Sequence, residues 1–588
     1  MPGLCGVISR HMRSDAAMAS LAQMQDLLKH RDDQVVEEPV VFVPEASAAS
    51  AGAGGAGALA LGGVWRKPGF GFTAELSPGI FLYFHGEAYD DAGCLSTEAI
   101  AARFAELPLV RGEWNAIAHM DGHYSAAIAD TGRGALHLIT DPMGLRPLYV
   151  RETAGALWFA GELKGLLGMG ALEIDRLAAS DFLRLGHFLG DATWFQGVRL
   201  LPPACHMRYD LATGRMLLSQ YRAWPPDGRR EGDEALAALL IAGRATDSQR
   251  ASQVIGELLQ KAVLRRLSHR QRMGMLLSGG LDSRTLFAAY PSDWEPPSIL
   301  TFGKPGSRDI EIALRVSAIR PTHHDIVEID QAQGLADRES DVWLTDGQLA
   351  LHHMHGVQSW SKLESTMDIC LHGFLGSALL GGDYLGDNRW TIWEKYLHRG
   401  RRFVLAALNH GQCGIRFRMP FLDLKLVEAL SVLPEALLRD GKLYRLILLQ
   451  RWPEFFTRIP WKKTGLALTL NPGRERLRQN SRKLGRGLLK LLGSSSRARG
   501  ADSEDFLDAA KWMREEKGRA FVEATLFPEG GTALDALVDA KIMRKQWDAH
   551  LAGRDYAEIL GRYLTAAIWL REVNQRVKAS ARTPESHA

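Results

Sequence analysis

Cysteine is scarce in this chain of 588 residues: Cys5, Cys94, Cys205, Cys370 and Cys413 lie far apart and form no CxxC pair. That pattern argues against a zinc site and a disulfide framework and leaves reduced thiols as the expectation. An excess of charge of one sign is lacking too. Lys plus Arg number 71 against 68 Asp plus Glu, a balance of +3, so no whole-molecule field grips nucleic acid and none is expected as a partner. No stretch offers about 18 uninterrupted apolar residues, and the opening MPGLCGVISRHMRS has no basic segment leading into a long apolar run. The expectation is a cytoplasmic protein with no membrane partner. Internal repeats are missing as well. What remains is ordinary globular composition, 46% hydrophobic and 24% charged, in a chain too long for one core, which points to two or three domains.

Residues 1 to about 220 read as short strands with turns, at 81–84, 124–129, 136–140, 147–151 and 157–160. The Ala/Gly/Ser tract 46–57 has too little side-chain mass to pack and reads as a mobile loop. AWPPDGRREGDE, 223–234, combines Pro, Gly and charge as an inter-domain linker does, which gives domains at 1–222 and 235–588. Beyond it, apolar runs at 273–277, 298–302 and 325–328 alternate with helical periodicity after Asp282 and over 310–318. Such alternation predicts a parallel sheet with helices on its faces. From about Trp390 the pattern is mostly helical. A Ser/Arg/Gly-rich interruption at 493–503 precedes a helical C-terminal part from about 505.

The strongest signal is GMLLSGGLDSR, 274–284, in which an apolar strand runs into two glycines and then into a helix. Backbone N–H groups of Gly279, Gly280 and the helix start would converge on one spot, with the Ser278 and Ser283 hydroxyls adding donors. That is an anion cradle. Asp282 would repel a phosphate unless a cation lay between them, so its natural role is to hold Mg2+ on pyrophosphate oxygens. The local alternative is a Gly-Gly turn capped by Asp282.

SGGLDSR resembles the SGGxDS signature of the ATP-pyrophosphatases, and the surrounding residues resemble the asparagine synthetase and β-lactam synthetase branch over most of the chain. Thr301-Phe302-Gly303 resembles the second nucleotide-side strand, with Asp309 on the next helix, and His323-His324-Asp325 the histidine-rich strand entry. Arg418-Met-Pro-Phe-Leu-Asp423 resembles RxPFLD, Lys442 to Arg445 a KxxxR helix, and Arg458 to Gly465 the basic loop. The resemblance implies an α/β fold: an N-terminal Ntn-hydrolase-like sandwich, then an ATP-pyrophosphatase (adenine nucleotide α hydrolase-like) parallel-sheet domain with a helical C-terminal extension. It also implies ATP and Mg2+ as cofactors, with Gly373, Gly376 and Ser377 on the pyrophosphate-side loop. Lys462 and Lys463 are then the catalytic candidates, neutralising charge as an amine attacks an acyl-adenylate. Their bland reading is as solvated surface lysines. One departure stands out. Where the family reads SGEGADELFGGY, this chain has HGFLGSALLGGDY, so the metal-holding aspartate falls on Ser377 and the glutamate on Phe374, leaving Asp383 or Asp387 as a second carboxylate.

The first domain resembles the class II glutamine amidotransferases, where an N-terminal cysteine attacks glutamine with its own amine as base. Cys5 stands behind Pro2-Gly3-Leu4, and His85 occupies the place of an oxyanion-hole asparagine in HGEAYD. Met120-Asp121-Gly122 and the stretch from Asp141 to Tyr149 keep the scaffold pattern. The expectation is a retained fold without a glutaminase site. The amine would then come from the substrate itself, as in β-lactam synthetases and lasso-peptide cyclases. With SGGLDSR and the long helical tail, the resemblance favours a lasso-peptide cyclase acting on a precursor peptide, with a leader-peptide protease as candidate partner and the oligomeric state open. Alternatives are a glutamine-hydrolysing asparagine synthetase, a small-molecule amide ligase, and a nucleotide-binding maturation partner without chemistry.

Overall fold

The computed structural model describes residues 2–43, 57–66, 70–109, 114–153, 155–170, 172–225, 247–330, 335, 338–381, 390–411, 414–469 and 508–580. Most of the tract 46–57, most of the segment 223–234 and the interruption 493–503 lie outside them. Two antiparallel sheets form the first part. One runs in the order Val198–Leu200, Tyr149–Thr153, Ala156–Ala160, Leu4–Ser9, Ala58–Arg66, Gln34–Val36, and the other in the order Met216–Gln220, Cys205–Asp210, Ala135–Thr140, Asp121–Asp130, Ile80–Asp90, Gly71–Ser77. Leu4, Ile8, Leu59 and Leu61 from the first meet Tyr83, Leu136, Leu138 and Met207 from the second in a shared core. Helix Ser14–Leu28 covers the outer face of one sheet, and Ile100 and Phe104 of helix Thr97–Ala105 cover the other. The result is a sandwich with helices outside it.

The second part is a five-stranded parallel sheet in the order His324–Glu328, Ser298–Gly303, Met273–Leu276, Ile369–Leu371, Arg416–Arg418. Central strands buried on both faces read as continuous apolar runs rather than alternations, as MGML and ICL do here. Helix Ser248–Leu264 packs on the sheet with Leu281–Ala289 and Lys442–Arg451. The C-terminal helices do not extend away from the molecule. Leu560, Leu564 and Trp569 of helix Ala557–Ser580 share a core with Phe182 and Trp194 of the sandwich and with Val342 and Trp343 of the second part. Among the described residues no helix is long and apolar enough to cross a membrane.

Candidate functional site

Strand Met273–Leu276 is the middle of the parallel sheet, and the chain leaves it through Ser278, Gly279 and Gly280 into helix Leu281–Ala289. Gly280 takes the N-cap position and offers no side chain to cap the first turn. The turn is braced from within: the Ser278 N–H donates to Ser283 Oγ at 3.1 Å and the Gly280 N–H to Ser278 Oγ at 3.2 Å. From the next helix, Asp309 Oδ1 accepts the Gly279 N–H at 2.8 Å. A positive helix end at the carboxyl edge of a parallel sheet is the usual seat of an anionic ligand in such folds.

Asp282 faces the loop that follows strand Ile369–Leu371. The Ser377 hydroxyl donates to Asp282 Oδ1 at 2.6 Å, the Ser377 N–H to Oδ2 at 2.7 Å, and the Tyr444 hydroxyl to Oδ1 at 3.1 Å. These donors fix the orientation of the Asp282 carboxylate. Glycine is required at Gly373 and Gly376 by close approach, because a Cβ there would stand 2.9 Å from Ser283 N and 2.7 Å from Asp282 Cγ. Between them Leu375 holds φ at 62°, the left-handed region that costs an L residue free energy. Phe374, in the place of the expected glutamate, is buried in the apolar core. Asp383 and Asp387 lie outside the described residues. Among those described, no cluster of three or more potential metal-ligating side chains exists.

The two lysines differ. Lys462 Nζ pairs with Asp309 Oδ2 at 2.5 Å, and its N–H donates to Gly279 O at 3.1 Å, which places it against the turn. Lys463 Nζ lies over the Trp461 ring at 5.5 Å from its centroid. The loop is held there by Arg284, fully buried, whose guanidinium donates to Pro460 O at 2.9 Å and to Ile459 O and Gly279 O at 3.3 Å each. Thr301, by contrast, spends its hydroxyl on Leu277 O at 2.7 Å and His324 Nε2 at 2.9 Å, so it braces the sheet. Gly303 accepts the Ile329 N–H, and Phe302 borders a cleft beside the turn. Tyr444 was not singled out as a site residue from the sequence. Its signal was a phenol on the buried stripe Leu443, Tyr444, Ile447, Leu448, because a buried hydroxyl needs a partner.

Arg418, Phe421 and Asp423 connect the two parts. Arg418 donates to both Glu87 oxygens, at 2.7 and 2.9 Å, while Arg266 bridges Asp423 at 2.7 Å and Asp121 at 2.8 Å. Burial alone would raise the Glu87 carboxyl, but Arg418, His123 and Arg416 hold it far below the usual carboxylate range. The Phe421 ring packs where a Cβ on Gly376 would sit.

In the sandwich, Cys5 is in the middle of its sheet, paired with Ala160 on one side and Gly62 on the other, and is fully buried. Burial pushes its thiol far up, away from the nucleophilic thiolate. His85 is buried against Trp65, its rings stacked at 6.1 Å, and burial followed by Arg146 drives its pKa well down. Asp141 is a scaffold residue, accepting N–H bonds from Tyr124, Met143, Leu145 and Arg146.

Residues 96–222 match the family described as glutamine amidotransferase domain, and 254–382 match asparagine synthase. The first match leaves out Cys5 and His85; the second contains the turn and the 373–377 loop. The chain is 25% identical over 188 residues to the asparagine synthetase [glutamine-hydrolyzing] 3 of Bacillus subtilis, covering 31% of this chain and 28% of that protein. It is 25% identical over 237 residues to a putative asparagine synthetase [glutamine-hydrolyzing] of Mycobacterium bovis, covering 39% and 34%. The chain thus spans about a third of the curated relatives it matches. Among solved structures, the glutamine phosphoribosylpyrophosphate amidotransferase of B. subtilis overlaps at a TM-score of 0.24 with 10% identity, over 55% of this chain and 81% of that one. The two family matches follow one another in the order of the two folds that carry them, and the curated proteins to which this chain is similar are named asparagine synthetases.

Proposed function

We propose that the chain is an ATP-dependent amide ligase that joins a carboxylate to an amine of the same precursor peptide, closing a macrolactam with release of AMP and pyrophosphate. A carboxylate oxygen attacks the α-phosphorus and pyrophosphate leaves; the peptide amine then attacks the acyl carbon and AMP leaves. The observation that carries the reading is Cys5, a fully buried thiol on an interior strand of a sandwich that resembles a glutaminase, because without a glutamine-cleaving nucleophile the amine must arrive with the substrate. Intramolecular capture is then favoured by effective molarity, which positioning alone supplies.

Asp282 fits a Mg2+ ion, since that ion is commonly held by one or two carboxylates together with phosphate oxygens and water. Bound there it would neutralise the departing pyrophosphate. The chain's own groups do the rest. The Gly279–Ser283 turn orients the phosphates, Ser377 and Tyr444 fix the Asp282 carboxylate, and Lys462 meets the charge that develops on AMP. A leader-peptide protease is the expected partner.

Purified chain with ATP, Mg2+ and candidate precursor peptides should release AMP and form a product lighter by one water. AMP release with aspartate and glutamine instead, abolished by Cys5→Ala, would replace this reading with a glutamine-hydrolysing asparagine synthetase. No AMP or pyrophosphate with any acceptor would leave a nucleotide-binding maturation partner.

A further inference from the structure

The C-terminal helices enclose a cavity of about 790 Å³ of their own, between helix Glu516–Leu526, the short helix Ala533–Ala536 and helix Ala557–Ser580. Ala567, Arg571 and Asn574 recur at i, i+4 and i+7, so one face of the last helix forms a wall. Thr525 is the informative residue. Within their helices Thr285, Thr366 and Thr565 each donate the hydroxyl to the carbonyl four residues back, at 2.8, 2.7 and 3.0 Å, the usual way a helical threonine satisfies itself. Thr525 is only 8% exposed and borders the cavity, yet among the described residues its hydroxyl has no hydrogen-bond partner. Asn574 and Gln575, on the other helix, likewise spend neither side-chain amide within the described chain.

A buried hydroxyl without a partner calls for one from outside. Among the described residues the lining holds no aromatic ring, so a nucleobase or sugar has nothing to stack on. Its one charged group, Arg571, is already paired with Glu339 at 2.7 Å, so a phosphate would meet no uncompensated cation. A hydroxyl and two primary amides each donate and accept, which matches the N–H and C=O groups of a peptide main chain. The apolar lining, Ala524, Ala533 and Ala567, has short side chains that let such a backbone come close. Holding a part of a substrate that does not react is also a recognised use of binding energy, because it brings the reacting part into place.

We propose that this cavity holds an extended, uncharged stretch of small residues in the precursor peptide, apart from the two groups that react, with Thr525 Oγ1 and the Asn574 and Gln575 amides hydrogen-bonded to its main chain. The choice of occupant rests on the ligase reading above; the site itself is a second one, on the C-terminal helices.

Fluorescence anisotropy on the full chain, without nucleotide, tests it with three labelled, end-blocked peptides of about eight residues: alternating alanine and serine, the same peptide with phenylalanine for alanine, and the alanine-serine peptide with alternate amide nitrogens methylated. The first should bind at least about tenfold tighter than either of the others. Thr525→Val and Asn574→Ala should each weaken it by about threefold to tenfold, the worth of one hydrogen bond, while Thr525→Ser keeps the parental affinity. Ala524→Trp, at an exposed position, should fill the cavity and remove binding. No binding of the alanine-serine peptide, equal binding of all three, or an unchanged affinity in Thr525→Val and Ala524→Trp would overturn the proposal and leave the ligase reading standing. Binding that responds to these variants, in a chain that releases AMP with no precursor peptide, would instead bring down the ligase reading and with it the precursor as occupant.

Discussion

Replacing Ser377 by aspartate tests whether one hydroxyl governs how this loop meets a cation. Ser377 Oγ is 2.6 Å from Asp282 Oδ1 and both side chains are half-buried, so Ser377→Asp exchanges a donor for a second carboxylate in direct reach. Two unit charges about 4 Å apart repel by about 4 kcal/mol at an effective dielectric of about 20. Solvent and sharing of a proton relieve part of that, which leaves a net cost of about 2 kcal/mol. A divalent ion between the carboxylates reverses the sign. At about 1 °C per kcal/mol for a chain of this length, the variant should melt about 2 °C below the parent chain in chelator at pH 8, and recover on addition of Mg2+. The parent should respond to Mg2+ far less. Because paired carboxylates take up a proton in acid, the deficit in chelator should shrink as pH falls below about 5. Scanning fluorimetry across that grid reads every arm. If the variant melts with the parent in chelator, or gains nothing from Mg2+, the carboxylates are not juxtaposed and the clamp on Asp282 is misread.

Glu87→Gln leaves Arg418 buried without its counter-ion and should destabilise the chain by about 3–5 kcal/mol in urea unfolding; a cost below about 1 kcal/mol would show that solvent reaches the pair. His137 and His206 are buried neutral and 3.0 Å apart on neighbouring strands, burial lowering them to about 4 and about 3 from the usual value of about 6.5. Unfolded histidines take up protons first as pH drops, so stability is full above about 6.5 and is lost towards 4, by about 3 kcal/mol for His137 alone. His206→Leu should flatten that loss, read as melting temperature against pH. Lys462→Ala should lower AMP formation by about 100-fold and Lys463→Ala by much less, since Lys462 packs against the turn through Asp309 and Gly279; equal effects would refute that assignment.

The turn was legible because its signal is local. Strand, Gly-Gly and helix follow one another within eleven letters, and the structure has them in that order. Strands at Ile80–Asp90, Asp121–Asp130 and Ala135–Thr140 were also visible in part. Leu4–Ser9 and Ala58–Arg66 were not, because Gly6 interrupts the first and Ala58, Ala60, Gly62 and Gly63 fill much of the second, residue types of low strand propensity. Helix Ser14–Leu28, rich in Ala and Met, has no sharp polar face to announce it. At the site, the partners of Asp282 come from 95 and 162 residues away, and no spacing rule reaches that far. The inward-facing Thr301 misleads for a related reason. Its residue type suits phosphate, but pairing with His324 is set by the register of two parallel strands.

Whatever its own chemistry, the sandwich has physical work to do for the second part. Glu87 neutralises Arg418 inside the molecule, and Asp121 shares Arg266 with Asp423, so losing either sandwich carboxylate would leave buried positive charge under-compensated at the junction. Arg418 is followed by Phe421, which packs on Gly376, and Gly376 packs on Asp282. Tyr396 and Arg401 add bonds from the other side, to Met143 O at 2.7 Å, Gly144 O at 2.7 Å and Leu201 O at 2.6 Å. The first domain is therefore part of the support that holds the 373–377 loop against the Gly279–Ser283 turn.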